Sequence, residues 1–218
     1  MHKKIYSNRI IWVDVDEVLV KFRPMFNKFL RETYKIQLPD HFIAKNWTYD
    51  EVLPKHLDFM DCFNSLPSDW PEHLPAYDRA RDFLQELKKM GNYVILITQV
   101  PEACVDARLR NLLLHNFYYD EIYFTSKAKS GYALSALKRI ENYQQVQNIL
   151  IDDRAKNCVD FLNNMPNMEK IFSLDIEINH PEMLALQNEP KIGFFKDTPT
   201  MCEELLKYLR GLQPKDPE

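Results

Sequence analysis

Glycine is nearly absent from this chain. Among 218 residues there are four, Gly91, Gly131, Gly193 and Gly211. Their spacing excludes both a G-x-G-x-x-G dinucleotide loop and a G-x-x-x-x-G-K phosphate loop. Any phosphate handled here must be held without a glycine-rich cradle. Cysteine is equally thin. Cys62, Cys104, Cys158 and Cys202 are dispersed, with no C-x-x-C pair for zinc or for redox chemistry. Free thiols suit a reducing, cytoplasmic setting. A basic surplus is also missing, since 28 Lys and Arg stand against 32 Asp and Glu for a net charge of −4. That argues against a nucleic-acid polymer as partner. The densest basic stretch, 127–139, reads for the most part as a solvated helix face. No apolar run approaches the roughly 20 residues of a membrane span, so no membrane partner is expected. The apolar stretch before Asp14 is too short for a signal-peptide core.

What the chain does have is a series of short apolar runs. Ile10 to Val13, Tyr93 to Ile97, Ile122 to Phe124 and Ile149 to Ile151 each end at a polar residue. Lys170 to Phe172 and Ile192 to Phe195 are weaker examples. Continuous apolar runs, rather than alternation, predict strands covered on both faces. Helical patterns separate them: 78–90, with Gly91 as its stop, then 101–116, 131–143, 155–164 and 199–209. Strand and helix in alternation imply right-handed crossovers and a mainly parallel sheet. The expected fold is therefore α/β, a three-layer Rossmann-like parallel sheet. The core is expected from 1–21 and 75–212, with a frayed tail at 213–218. The stretch 22–74 is too long for a simple crossover and carries ten aromatics and five prolines. It is expected to form a small helical cap inserted after the first strand.

In open parallel sheets, ligands bind beyond the carboxyl ends of the strands. The residues ending the apolar runs therefore matter most: Asp14 with Asp16, Thr98, Thr125 with the lysines after it, and Asp152 with Asp153. Crowded carboxylates repel one another and raise each other's pKa. A divalent cation relieves that repulsion, and hard oxygen ligands favour Mg²⁺, which also accepts phosphate oxygens. A carboxylate in such a site can attack phosphorus to give an aspartyl-phosphate. A second one can protonate the leaving oxygen and later activate water. A threonine and a lysine can hold the phosphoryl oxygens.

With these residues in view, the sequence resembles haloacid-dehalogenase-superfamily phosphohydrolases. The points of similarity are Val13-Asp14-Val15-Asp16-Glu17-Val18-Leu19, Leu96-Ile97-Thr98 and Leu150-Ile151-Asp152-Asp153-Arg154. Within the superfamily it is most similar to the 5′(3′)-deoxyribonucleotidase group, through DVDEVLVKF, the tryptophan-bearing insertion, ITQVPEAC and LIDDRAKN. The resemblance implies that Asp14 is nucleophile and Mg²⁺ ligand. It implies that Asp16 is the general acid/base, with its backbone carbonyl on the metal. Thr98 would bind the phosphoryl group, Asp152 the metal, and Asp153 would position Asp152 or its waters. Lys129, with Lys127 as alternative, would supply the phosphate-binding lysine, and Gly131 would allow a turn beside it. Glu17 stands where many members carry glycine, and Gln99 where a small hydroxyl residue is common. Phe22, Phe26, Trp47 and Tyr49 are the candidates for stacking on a base. The implied activity is phosphomonoester hydrolysis of a small substrate such as a (deoxy)nucleoside monophosphate. A non-catalytic binding module, a phosphotransferase and a phosphoprotein phosphatase remain open on the same motifs.

Overall fold

The structure, a computed structural model, describes residues 3–174, 184 and 186–212. The expected tail at 213–218 lies outside them. Six strands form one parallel sheet: β1 (Arg9–Val13), β2 (Tyr93–Gln99), β3 (Glu121–Thr125), β4 (Gln147–Ile151), β5 (Met168–Leu174) and β6 (Ile192–Phe195), in the order β3-β2-β1-β4-β5-β6. After β1 the chain builds outward on one side through β2 and β3. It then crosses to the other side at β4. The reversal of strand order lies between β1 and β4, where such sheets open a crevice.

Alternate side chains of each strand point to opposite faces; both faces are buried in the inner strands, whereas β3 and β6, at the sheet edges, are mostly half-buried, so the full cover expected for Ile122 to Phe124 and Ile192 to Phe195 is not found. Ile11, Val13, Leu96 and Ile149 join one apolar cluster. Ile10, Trp12, Ile97 and Leu150 join the other. The first face is covered by α3 (Ala80–Lys89) and α7 (Thr198–Gly211). The second is covered by α5 (Lys129–Leu137) and α6 (Ala155–Asn164). These are the three layers expected from apolar runs without alternation. Trp12 is fully buried, and its Nε1 donates to Asn148 Oδ1 at 2.9 Å, so its one polar atom is satisfied.

The insertion leaves and rejoins the sheet at one place. The Lys21 amide donates to Pro75 O at 2.8 Å and the Tyr77 amide to Leu19 O at 2.9 Å. Between these points run α1 (Phe22–Tyr34), α2 (Phe59–Asn64) and a 3-10 turn at Trp70–His73. Phe22 and Phe26, four residues apart, share one face of α1 and stack at 5.3 Å. Tyr49, Phe59, Phe63 and Trp70 pack around this pair, and the aromatic cluster is continuous with the apolar face of the sheet.

Several helix limits differ from the sequence expectation. The helix expected from Pro101 opens instead as a 3-10 turn at Glu102–Cys104, and α4 begins at Val105 and ends at Leu114. α5 starts two residues early, at Lys129. Gly131 consequently lies inside the helix and makes no turn. Gly91 does behave as a stop, with φ +77° after α3 and its amide on Lys88 O at 3.0 Å. No helix among the described residues is long and apolar enough to cross a membrane.

Candidate active site

The site is assembled by register. Val13 of β1 lies beside Leu96 of β2 and Ile151 of β4. The next residues on β1 and β4, Asp14 and Asp152, therefore emerge together at the crevice. The Asp14 amide still bonds Ile151 O at 2.9 Å, and the Asp152 amide bonds Phe172 O at 3.1 Å. These ladder bonds fix both backbones. Oxygen atoms of Asp14, Asp152 and Asp153 lie within 4.8 Å of one another, and all three residues are buried.

Lys129, the first residue of α5, reaches into this cluster. Its Nζ lies 2.8 Å from Asp14 Oδ1 and 2.7 Å from Asp152 Oδ2. Asp160 of α6 holds α5 in place, accepting from the Ser130 amide at 2.9 Å and the Ser130 hydroxyl at 2.7 Å. An acid there also suits the positive end of the helix dipole. The geometry selects between the two lysines: Lys129 is 2% exposed, whereas Lys127 lies on the surface. Lys129 is also the exception to the solvated face expected for 127–139.

Burial pushes the Asp14 carboxyl above its usual range against the pull of Lys129, and Asp152 and Asp16 add to the rise. Asp153 is raised for the same first reason, with Asp14 and Asp152 adding to it. Burial by itself would lower the Lys129 ammonium, but the two carboxylates outweigh it and hold it above the usual lysine value. Asp152 is the best satisfied of the three acids. Its Oδ1 accepts from the Arg154 amide at 2.9 Å, and Asn157 Nδ2 reaches Oδ1 at 2.9 Å and Oδ2 at 3.1 Å. Asp153 is the least satisfied, with both carboxylate oxygens buried and without a hydrogen-bond partner.

That donor set fits a divalent cation. Three buried carboxylates face the Lys129 ammonium, with the buried Arg23 guanidinium acting on Asp153 as well, which still leaves an excess of negative charge, and the two unpaired oxygens of Asp153 suit a cation or a proton. Oxygen-only ligands at this density suit Mg²⁺. Thr98 supplies a second unfilled group. It sits inside β2 rather than beyond it, fully buried, and its Oγ1 has no partner. Thr98 is not among the residues that line the cavity beside Asp14.

Asp16 stands apart. Its Oδ1 accepts from Arg108 Nη2 at 2.6 Å, and it lies outside the group of converging acids. Glu17 follows with φ +59°, the left-handed region, where glycine is the easy choice. Here the side chain is tied down instead. Glu17 Oε1 accepts from the Arg23 amide at 2.5 Å and Oε2 from the Tyr77 hydroxyl at 2.9 Å.

A cavity of about 70 Å³ opens beside Asp14, lined by Asp14, Asp16, Gln99, Lys129, Arg154 and Asn157 on the sheet side, with Asp152 and Asp153 behind that lining. Phe22, Trp47, Phe59, Met60 and Phe63 line it from the insertion. Of the four expected stacking residues, Phe22 and Trp47 reach the cavity. Phe26 and Tyr49 do not, because they are fully buried in the insertion's own aromatic core. Phe59 and Phe63 take their place, and the sequence carried no signal separating one pair from the other. Asn157 lay within the quoted LIDDRAKN run, but nothing marked it as the residue that braces Asp152. Arg108 was equally hidden, a cation inside an ordinary helical pattern.

No protein-family model matches this chain, and no curated protein matches it. Among solved structures, 92 chains match. A haloacid dehalogenase-like family hydrolase from Streptococcus pneumoniae is 17% identical, over 92% of this chain and 97% of that one, with a TM-score of 0.56. D,D-heptose 1,7-bisphosphate phosphatase from B. bronchiseptica, complexed with magnesium and phosphate, is 13% identical over 92% of this chain and 99% of that one, with a TM-score of 0.51. A HAD family hydrolase from Deinococcus radiodurans, with bound phosphate and sodium, is 15% identical over 95% of this chain and 98% of that one, with a TM-score of 0.58. The chain thus has the α/β fold of the haloacid-dehalogenase-like hydrolases. At such low identity the likeness carries the fold and leaves the chemistry to the site.

Proposed function

We propose that this protein is a Mg²⁺-dependent phosphomonoesterase that works through an aspartyl-phosphate on Asp14. The observation that carries the reading is the buried cluster of Asp14, Asp152 and Asp153 against Lys129. Asp14, Asp152, Asp153 and the Asp16 backbone carbonyl are the groups that would hold Mg²⁺. Bound there, the ion would offset charge on the transferring phosphoryl group.

The chain's own residues divide the rest of the work. Asp14 attacks phosphorus as the bond to the leaving oxygen breaks. Asp16 gives that oxygen a proton, then takes one from the water that cleaves the aspartyl-phosphate. Thr98 and Lys129 hold phosphoryl oxygens. The residues 22–74 act as a cap whose aromatic side closes the site from solvent.

On the insertion side the cavity is walled by Phe22, Trp47, Phe59 and Phe63, and a leaving group would lie against them. The Arg154 guanidinium lies 5.2 Å from the Trp47 ring centroid. Flat, polar-edged leaving groups suit such a wall, which supports a (deoxy)nucleoside monophosphate. The four free cysteines, three of them buried, fit a cytoplasmic setting.

The test is phosphate release from a panel of monoesters that includes nucleoside monophosphates, with and without Mg²⁺. Release that requires Mg²⁺ and is abolished by Asp14→Asn is expected. Undiminished release by Asp14→Asn would overturn the mechanism.

A further inference from the structure

The geometry points to Arg108 as the positioning residue for Asp16, holding its carboxylate where it exchanges protons with the reacting oxygens. This rests on the phosphatase reading above and adds to it a residue remote in sequence. Arg108 lies on α4 and is 1% exposed. Its Nη2 donates to Asp16 Oδ1 at 2.6 Å across 92 residues of sequence. Its Nε and Nη1 are buried with no partner. A half-paired guanidinium in the interior works against stability, and an apolar residue of similar volume would pack there at lower cost. The ion pair itself is therefore the reason to look for a role.

Asp16 needs such a partner. Lys129 and Asn157 orient Asp14 and Asp152, whereas the side chain of Asp16 bonds to Arg108. Asp16 also occupies a junction. It lines the cavity that holds Asp14 and Lys129 and a smaller one lined by Arg108, Phe63, Trp70 and Cys104. A carboxylate free to rotate there would swing between the two. Arg108 holds Oδ1 and leaves Oδ2 to carry the proton.

The proton accounting closes. As the Asp14 oxygen bonds to phosphorus, the bond to the leaving oxygen breaks, its electron pair stays with that oxygen, and Asp16 Oδ2 supplies the proton. In the second step, water bonds to phosphorus and gives its proton to Asp16. The Asp14–phosphorus bond then breaks, with its electron pair returning to Asp14. Arg108 exchanges no proton and touches no substrate.

A positioning role makes the loss depend on the leaving group, which a purely structural role does not. A 4-nitrophenolate departs without help from an acid, and an alkoxide does not. The experiment compares Arg108→Met and Arg108→Lys with the wild type on ethyl phosphate and 4-nitrophenyl phosphate, with thermal unfolding midpoints recorded in parallel. For Arg108→Met, kcat/KM, which reports the step in which the leaving oxygen departs, is expected to fall about 100-fold on the ethyl ester and only about threefold on the nitrophenyl ester. Arg108→Lys, which keeps a cation in the buried position, is expected to show the same pattern at smaller amplitude, and it decides the matter if the Met variant unfolds. Equal losses of kcat/KM on both esters, or no loss on either, would overturn the inference while leaving the phosphatase reading intact. A wild type inactive on both esters and on the nucleoside monophosphates would overturn that reading, and the role of Arg108 with it.

Discussion

Thr198 donates its hydroxyl to the backbone carbonyl of Glu17 at 2.6 Å, across 181 residues of sequence. The first residue of the last helix thereby caps the loop that presents Asp14 and Asp16. The same loop is held from the other side by the Tyr77 hydroxyl on Glu17 Oε2. The start of α7 is thus tied to the loop that carries Asp14 and Asp16. Thr198→Val keeps the shape and removes the donor. Leaving the buried carbonyl unpaired should cost about 1–3 kcal/mol, read as a shift in the urea unfolding midpoint. An unchanged midpoint would show that the bond carries no load.

Lys129→Met should lose turnover by at least about 100-fold, because the ammonium proposed to hold a phosphoryl oxygen beside Asp14 would be gone. Lys127→Met, at an exposed position, should keep near wild-type kcat and KM. Steady-state kinetics on one ester separates the two lysines. The reverse pattern would contradict the assignment of Lys129.

The carboxyls of Asp14 and Asp153 are raised in the folded, metal-free protein, chiefly by burial. Between the ordinary carboxylate range and those raised values, the folded state holds protons that the unfolded chain has released. Stability must then fall as pH rises through that interval and level off above it. Thermal unfolding in EDTA should show a midpoint that declines from about pH 5 toward neutrality. Added Mg²⁺ should raise the midpoint most at the upper end, where the carboxylates are ionised. A midpoint in EDTA that climbs over this interval would count against the cluster as described.

Trp47 lines the cavity and Phe26 does not, so their truncations should fail differently. Trp47→Ala should raise KM for a nucleoside monophosphate about tenfold, in keeping with stacking energies of about 1–3 kcal/mol per base. It should change KM for 4-nitrophenyl phosphate less. Phe26→Ala should lower stability by about 3–5 kcal/mol without such selectivity. Kinetics on the two substrates, together with denaturant unfolding, would show whether the cavity wall or the aromatic core has been cut.

Local chemistry settled much of this in advance. The buried strands were legible because residues covered on both faces must be apolar throughout, as in Ile10 to Val13 and Ile149 to Ile151. Asp14 and Asp152 were legible because a polar residue that ends such a run has only the crevice to face. Ile192 to Phe195 appeared as a strand with its limits intact, although the expectation for it was weak.

Other choices were invisible at that level. Lys127 and Lys129 are alike as sequence; what separates them is the start of α5, which Asp160 of α6 holds from 30 residues away. Phe22, Phe26, Tyr49 and Phe59 are alike as aromatics, and only the packing of α1 and α2 decides which line a cavity and which fill a core. Arg108 reads as one more cation on a helix until the fold buries it beside Asp16. The sequence alone thus determined the α/β sheet and the row of acids at its edge, because burial and strand periodicity act on each residue where it stands. Tertiary structure decided which lysine, which rings and which arginine lie at that edge. Those choices rest on distances between residues far apart in the chain, and no local pattern encodes such distances.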